Sequence, residues 1–187
     1  MPDSPPESAP EPFVARYSVP KLLVWIIGPG GMALLGWVFA APALRGGNLI
    51  VAAACVLGVL FFGGIAAVHT RRLFDRRPQV MIDASGLYVR SHGETRIVLR
   101  SIKSVHADSM GQISMTLYKP AKYPIETRHR RFLYRINGSA ARGFFGDVWV
   151  RTSVLDCSQG ALLGAMAAHR PMTEFERQLE ERIAANR

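Results

Sequence analysis

The chain has 187 residues, 49% of them apolar and 20% charged, with 23 Lys and Arg against 14 Asp and Glu for a formal net charge of +9. Such a length allows one domain, or one small domain with an appendage. A mean hydropathy of +0.11 excludes a wholly disordered chain, and two cysteines exclude a disulfide scaffold.

The averages conceal how the charge is distributed. Residues 22–68 hold a single formal charge, Arg45, whereas residues 71–187 carry 20 basic and 11 acidic side chains, a net +9. Ahead of both, Met1 to Pro20 has Pro2, Pro5, Pro6, Pro10, Pro12 and Pro20 among Asp3, Glu7 and Glu11. That composition cannot bury a core, so residues 1–20 are expected to be a disordered cytoplasmic tail.

Leu22 to Leu44 is uncharged for 23 residues. At ~1.5 Å per helical residue it reaches roughly 35 Å, enough to cross a ~30 Å hydrocarbon core with tilt. Leu49 to Val68 adds 20 uncharged residues after a turn at Arg45, Gly46, Gly47 and Asn48. Neither run has the polar stripe of a helix on a soluble core. Residues 21–70 are therefore expected to form a two-helix transmembrane hairpin. A cleaved signal peptide does not fit, because the first run follows a Pro-rich acidic leader and far exceeds an h-region in length.

Arg16 and Lys21 precede the first span, and the membrane-flanking Arg71, Arg72, Arg76 and Arg77 follow the second, with only Arg45 between them. The positive-inside rule then puts both termini in the cytoplasm. Gly28, Pro29, Gly30 and Gly31 predict a kink in the first span. Gly36 and Ala40, with Ala54 and Gly58 on the other span, let helix backbones approach, within the hairpin or between two copies. Trp25 and Trp37 are expected at the interface or facing lipid. Neither span contains Asp, Glu or Lys, so no ion or proton path is marked.

Residues 71–170 are expected to be a soluble domain. Gln79 to Asp83 and Leu87 to Ser91 read as a hairpin across Ala84, Ser85 and Gly86. Thr95 to Leu99 reads as a third strand, Ile102 and Val105 continue the pattern, and Gln112 to Tyr118 alternates through Ile113, Met115 and Leu117. Thr127 to Asn137 has helical spacing at Phe132, Leu133 and Ile136, with Asn137 and Gly138 as a stop. Asp147 to Thr152 alternates as a last strand. Ser153 with Asp156 predicts a cap for a helix to about His169, burying Leu155, Leu162 and Met166. Thr173 and Glu176 cap a C-terminal amphipathic helix in residues 171–187, with Phe175, Leu179 and Ile183 on one face.

Strands followed by a closing helix, about 100 residues in all, resemble the bacterial pleckstrin-homology-like (PH-like) domains. The order is more specific: two spans, then Arg72-Leu73-Phe74-Asp75-Arg76-Arg77-Pro78, Ile82-Asp83, Gly86-Leu87, Ile97 through Ile102, Lys119-Pro120, a basic stretch ending at Asn137, and Gly146. In this order the chain resembles an uncharacterised family of small bacterial two-span membrane proteins with a cytoplasmic PH-like domain. Many members carry a Trp in the third-strand segment, where this chain has Val98 and Leu99. The resemblance implies an α+β fold, a transmembrane hairpin followed by an antiparallel PH-like β-sandwich or barrel closed by a C-terminal helix. It also implies the bacterial inner membrane, and it implies no catalytic residue.

Chemistry-bearing motifs are sparse. His69, His92, His106, His129 and His169 make no close pair on one helix face, and Cys157 has no cysteine partner in the domain. Gly143 and Gly146 lack the Lys-Ser/Thr of a phosphate loop. Asp83 and Asp147 each flank a strand near a glycine, which is turn chemistry rather than a catalytic carboxylate pair. No cofactor, metal or catalytic residue is expected; an enzyme would require His106, Asp108 and His129 to converge in a pocket.

One constellation rises above this background. Lys119, Lys122, Arg128, Arg130, Arg131, Arg135 and Arg142 are seven cations against the single acid Glu126, interleaved with Tyr123, Phe132 and Tyr134. Near an anionic leaflet each such cation contributes about 1 kcal/mol. The expected partners are the lipid bilayer and anionic lipid headgroups; the plain alternative is a solvated loop, and nucleic acid is disfavoured by the tether. The expected function is a membrane-anchored, non-enzymatic PH-like scaffold or binding module on the cytoplasmic face. The alternative is an adaptor or subunit that engages a protein partner, or a second copy, through this domain and the C-terminal helix.

Overall fold

A computed structural model of the protein describes residues 10–170 and Arg182. The fold is α+β, with two long apolar helices and two small antiparallel sheets. Among the described residues the sheets do not close into a barrel. The terminal helix expected in residues 171–187 lies outside the described residues apart from Arg182. Of the described residues, 16–78 with 153–156 form one compact unit, and 10–15, 79–152 and 157–170 form another.

In the first unit, α1 (Val19–Arg45) and α2 (Leu49–Leu73) are each long and apolar enough to cross a membrane. Most of their large apolar side chains are exposed, Val24 at 71% and Ile50 at 85%. Between them Gly47 takes φ +73, and the Asn48 side chain accepts the Val51 N–H at 3.2 Å, capping α2. α1 runs without interruption through the Gly28–Gly31 cluster and across Pro29. A Cβ added at Gly36 would lie 3.1 Å from Val59 Cγ2 and 3.3 Å from the Cys55 carbonyl oxygen, whereas Gly58 faces open space. Ala40 and Ala52 are buried in the same helix pair. Of the small residues singled out in the sequence, Gly36 and Ala40 therefore serve helix packing and Gly58 does not. Trp37 is exposed, but Trp25 stacks on the His69 ring at 5.5 Å between centroids.

Residues leading into α1 run beside 153–156. The Ser18 N–H donates to the Val154 carbonyl at 2.9 Å, the Asp156 N–H to the Arg16 carbonyl at 2.9 Å, and the Arg16 N–H to the Asp156 carboxylate at 2.8 Å. Lys21 Nζ donates to the Leu155 carbonyl at 2.7 Å. These bonds hold 153–156 as the end of a 3-10 turn (Thr152–Val154) followed by a bridge from Leu155 to Tyr17, so the α-helix expected from Ser153 does not start there. Its start is corrected to Ser158, whose Oγ accepts the Ala161 N–H at 3.0 Å to cap α4 (Gln159–Ala168). Leu162 and Met166 of α4 are buried as the spacing predicts.

The second unit holds both sheets. β2 (Val80–Asp83) and β3 (Gly86–Val89) form the expected hairpin, with Gly86 at φ +126. A Cβ at Gly86 would sit 2.5 Å from the Ile97 carbonyl oxygen, so only glycine fits this close approach. The opposite edge of β2 is taken by β1 (Phe13–Ala15), with Phe13 facing Ile82 and Ala15 facing Val80. Three residues of the stretch expected to be a disordered tail are thus a sheet strand, and Ala15 is fully buried. The third strand expected over Thr95–Leu99 reduces to one bridge, Ile97 with Leu87, because a 3-10 turn at Leu99–Ser101 bends the chain away.

The second sheet orders β4 (Ile102–Ala107), β5 (Gln112–Leu117) and β6 (Val148–Arg151). Ile113, Met115, Leu117, Val148 and Val150 are buried, and the period-2 alternation of β5 and β6 is what places them there. Between β5 and β6 lies α3 (Arg128–Phe145), longer than the expected Thr127–Asn137. Gly138 (φ +49, ψ −124) breaks its helical course, so the predicted stop is a break after which a second segment continues to Phe145.

Candidate functional site

The seven cations of residues 119–142 fall on the entry to α3 and on α3 itself, and the fold gives them different work. The entry is fastened to the turn after β3. The Glu126 carboxylate accepts the Glu94 N–H at 2.7 Å and the Thr95 hydroxyl at 2.6 Å. Those two bonds, the hydroxyl foremost, hold its pKa below the usual carboxylate value. The Glu126 N–H donates to the His92 carbonyl at 2.9 Å, and Thr127 Oγ1 to the Ser91 carbonyl at 2.7 Å. The one acid of the basic stretch is therefore a structural tie. Gly93 leaves the room it needs, since a Cβ there would lie 2.6 Å from the Glu126 carboxyl.

Arg130 is the correction the structure makes to the proposed lipid-contact set. It is 4% exposed. Its guanidinium carbon lies 4.0 Å from the Trp149 ring centroid, and Nη2 donates to the Trp149 carbonyl at 3.1 Å. A group so placed cannot reach a membrane surface. Arg142 is committed too, its Nε 3.0 Å from Asp147 Oδ1. The other Asp147 oxygen accepts the Leu117 N–H at 2.9 Å, so this buried carboxylate ties β5 to the start of β6.

The remaining five cations are exposed: Lys119, Lys122, Arg128, Arg131 and Arg135. Lys122 lies over the Tyr123 ring at 5.6 Å. Arg131 donates to the Ile125 and Glu126 carbonyls at 3.0 and 3.2 Å while keeping an exposed side chain. Of the membrane-flanking set, Arg71, Arg76 and Arg77 are exposed, and Arg72 is half-buried with its guanidinium over the Tyr17 ring at 5.8 Å.

An open cleft of about 560 Å³ lies beneath the start of α3, lined by Pro120, Tyr123, Ile125, Arg131, Tyr134 and Asp147 among others. Its polar groups already have protein partners, including the Tyr134 hydroxyl, which donates to the Gly146 carbonyl at 2.6 Å. Burial raises the Tyr134 pKa. His106, Asp108 and His129 do not line it. Asp108 closes its own turn by accepting the Met110 and Gln112 N–H groups at 2.9 and 2.8 Å. Asp83 closes the β2–β3 turn, accepting from Ser85 and pairing with Arg96. Among the described residues no three His, Cys, Asp or Glu side chains are grouped to hold a metal ion.

Sequence reasoning missed the exposed apolar set on α3. Phe132 is 62% exposed, Ile136 64% and Phe144 70%. The spacing of Phe132, Leu133 and Ile136 marks a helix without saying which side faces the domain, Phe144 lies beyond the expected stop, and the burial of Arg130 shows which side is turned inward. Comparison of the chain with family models, curated proteins and solved structures finds no match to any of them.

Proposed function

We propose that the protein is a membrane-anchored, non-enzymatic binding module. In this reading α1 and α2 span a bacterial inner membrane, and the sheet unit is a PH-like module on the cytoplasmic face whose exposed cations meet anionic lipid headgroups. The observation that carries it is the sorting of the basic stretch. Arg130 is buried and Arg142, though exposed, is paired with Asp147, whereas Arg128, Arg131 and Arg135 on α3, with Lys119 and Lys122 ahead of it, are exposed and make no ion pair with an acid among the described residues. An anionic leaflet attracts such a group at about 1 kcal/mol for each cation near the surface.

Pairing of β1 with β2 supports the topology. The chain leaves the sheet at Ala15 and returns to the neighbouring strand at Val80, so both points lie on one side of any membrane and the crossings between them must be even in number. Two helices of spanning length satisfy that. The positive flanks favour the cytoplasm for that side.

Full-length protein in nanodiscs tests this. Deuterium uptake over residues 128–137 is expected to be slower in discs containing phosphatidylglycerol than in phosphatidylcholine alone. The difference should shrink with Arg128→Gln and Arg135→Gln together. Equal uptake in both lipids would refute headgroup contact.

A further inference from the structure

α3 is turned inside out for a helix of a soluble domain. At about 100° per residue, the side chains of residues 128–137 fall into three arcs. One faces the domain and holds Arg130, buried against Trp149, and the half-buried Tyr134. The second holds the exposed Arg128, Arg131 and Arg135. The third holds Phe132, Leu133 and Ile136, which are 62%, 43% and 64% exposed, with the exposed His129 among them. A helix that sits on its own domain in water buries the apolar arc and shows the polar one. Here an arginine has the buried place and the apolar arc is left out.

We propose that α3 is an interfacial helix that sinks Phe132, Leu133 and Ile136 into the boundary between headgroups and acyl chains of an anionic bilayer. The occupant is chosen by the neighbouring arc. A protein groove would have to cover an apolar stripe bordered along its length by three arginines, whereas an anionic bilayer offers acyl chain to the stripe and phosphate to the arginines at once. Phe144 continues the exposed apolar set beyond the break at Gly138, next to the exposed Arg142. The inference rests on the headgroup reading above and adds to it that apolar side chains enter the membrane. Attachment through them is expected to persist in salt that abolishes purely electrostatic contact.

The test uses full-length protein in phosphatidylcholine–phosphatidylglycerol nanodiscs, with Cys55→Ser and Cys157→Ser and one spin label, at Phe132→Cys, Ile136→Cys or Arg135→Cys. Collision with oxygen, which partitions into acyl chains, is compared with collision with a water-soluble nickel chelate. Labels at 132 and 136 are expected to meet oxygen and exclude nickel, in low and high salt alike, while the label at 135 meets nickel. All three positions are exposed, so the labels leave the fold intact, and unchanged deuterium uptake at the Leu117 amide verifies it for each variant. Nickel access at 132 and 136 equal to that at 135 overturns insertion. Shielding from both reagents also overturns it, by showing that protein, a second copy or a partner, covers the arc. If insertion fails while the lipid dependence of uptake over 128–137 persists, headgroup contact stands without it. If both fail, the membrane role of α3 falls entirely.

Discussion

Arg130 stacks its guanidinium 4.0 Å from the Trp149 ring centroid and hydrogen-bonds that residue's carbonyl, so one of seven neighbouring cations belongs to the core. A desolvated cation–π contact contributes about 2 kcal/mol, and a charged hydrogen bond about 1.5–3. Arg130→Gln is expected to destabilise the sheet unit by roughly 2–4 kcal/mol, and Arg130→Lys by nearly as much because an ammonium cannot stack and donate in that geometry. Arg135→Gln, at an exposed site, should stay within about 0.5 kcal/mol. Urea midpoints followed by limited proteolysis of the full chain compare the three; equal midpoints for Gln at 130 and 135 would contradict the assignment.

Asp147 accepts from two donors through two oxygens, the Leu117 N–H and Arg142 Nε. Asp147→Asn keeps the shape but turns an NH₂ group toward one of them. The expected loss is about 1–3 kcal/mol, the cost of an unsatisfied buried polar group. The Leu117 amide should then exchange faster than the Val150 amide of β6, and unchanged Leu117 protection would remove Asp147 as the tie.

Among the described residues His92 and Asp83 make stability depend on pH in separate windows, and Glu126, also held low, adds to the acid one. Burial holds the His92 pKa below its ordinary 6.5, with nearby Arg130 acting the same way and Glu126, Asp147 and the Tyr123 carbonyl opposing it. The unfolded chain therefore takes the proton first. Stability from this site is full above pH 6.5 and declines as pH falls below it. Asp83 is held at about 2 by the Ser85 hydroxyl and by Arg96, so its contribution is present above the ordinary 3.8 and is lost as pH falls toward 2. His92→Gln should flatten the upper window and Asp83→Asn the lower one in thermal melts across pH; slopes unchanged by either variant would refute the attribution.

Gly36 and Gly58 look alike in the sequence and differ in the hairpin. Leucine at 36 would press on Val59 and the Cys55 carbonyl, whereas leucine at 58 would enter open space. Gly36→Leu is expected to cost on the order of 1–3 kcal/mol by overpacking, and Gly58→Leu little. Thermal midpoints of the two variants in detergent micelles measure the difference, and equal midpoints would place the helix contact elsewhere.

What could be read in advance follows the range of the interactions involved. The two long helices, the β2–β3 hairpin, β5 and β6 are written in local pattern, as uncharged length or as alternation such as Ile113, Met115 and Leu117. β1 is an apolar triplet, Phe13-Val14-Ala15, in a Pro-rich acidic setting, and its partner strand lies beyond both long helices. Ser153 and Ser158 are equally good caps locally; the bonds from 16–18 to 153–156 decide between them. The same holds for the basic stretch, where Trp149, arriving after α3, selects Arg130 from its neighbours.

The pairing of Phe13 with Ile82 also constrains how the molecule is made. β1 leaves the ribosome before β2 and cannot find its partner until both long helices have been synthesised. Were the hairpin inserted with only one helix across the bilayer, β1 and β2 would be stranded on opposite faces, the edge of β2 would stay unpaired and Ala15 would have no core to enter. On the membrane-anchored reading proposed above, closure of this three-residue strand works as a proofreading step for insertion: the sheet would complete itself only on chains whose hairpin had gone in and come back.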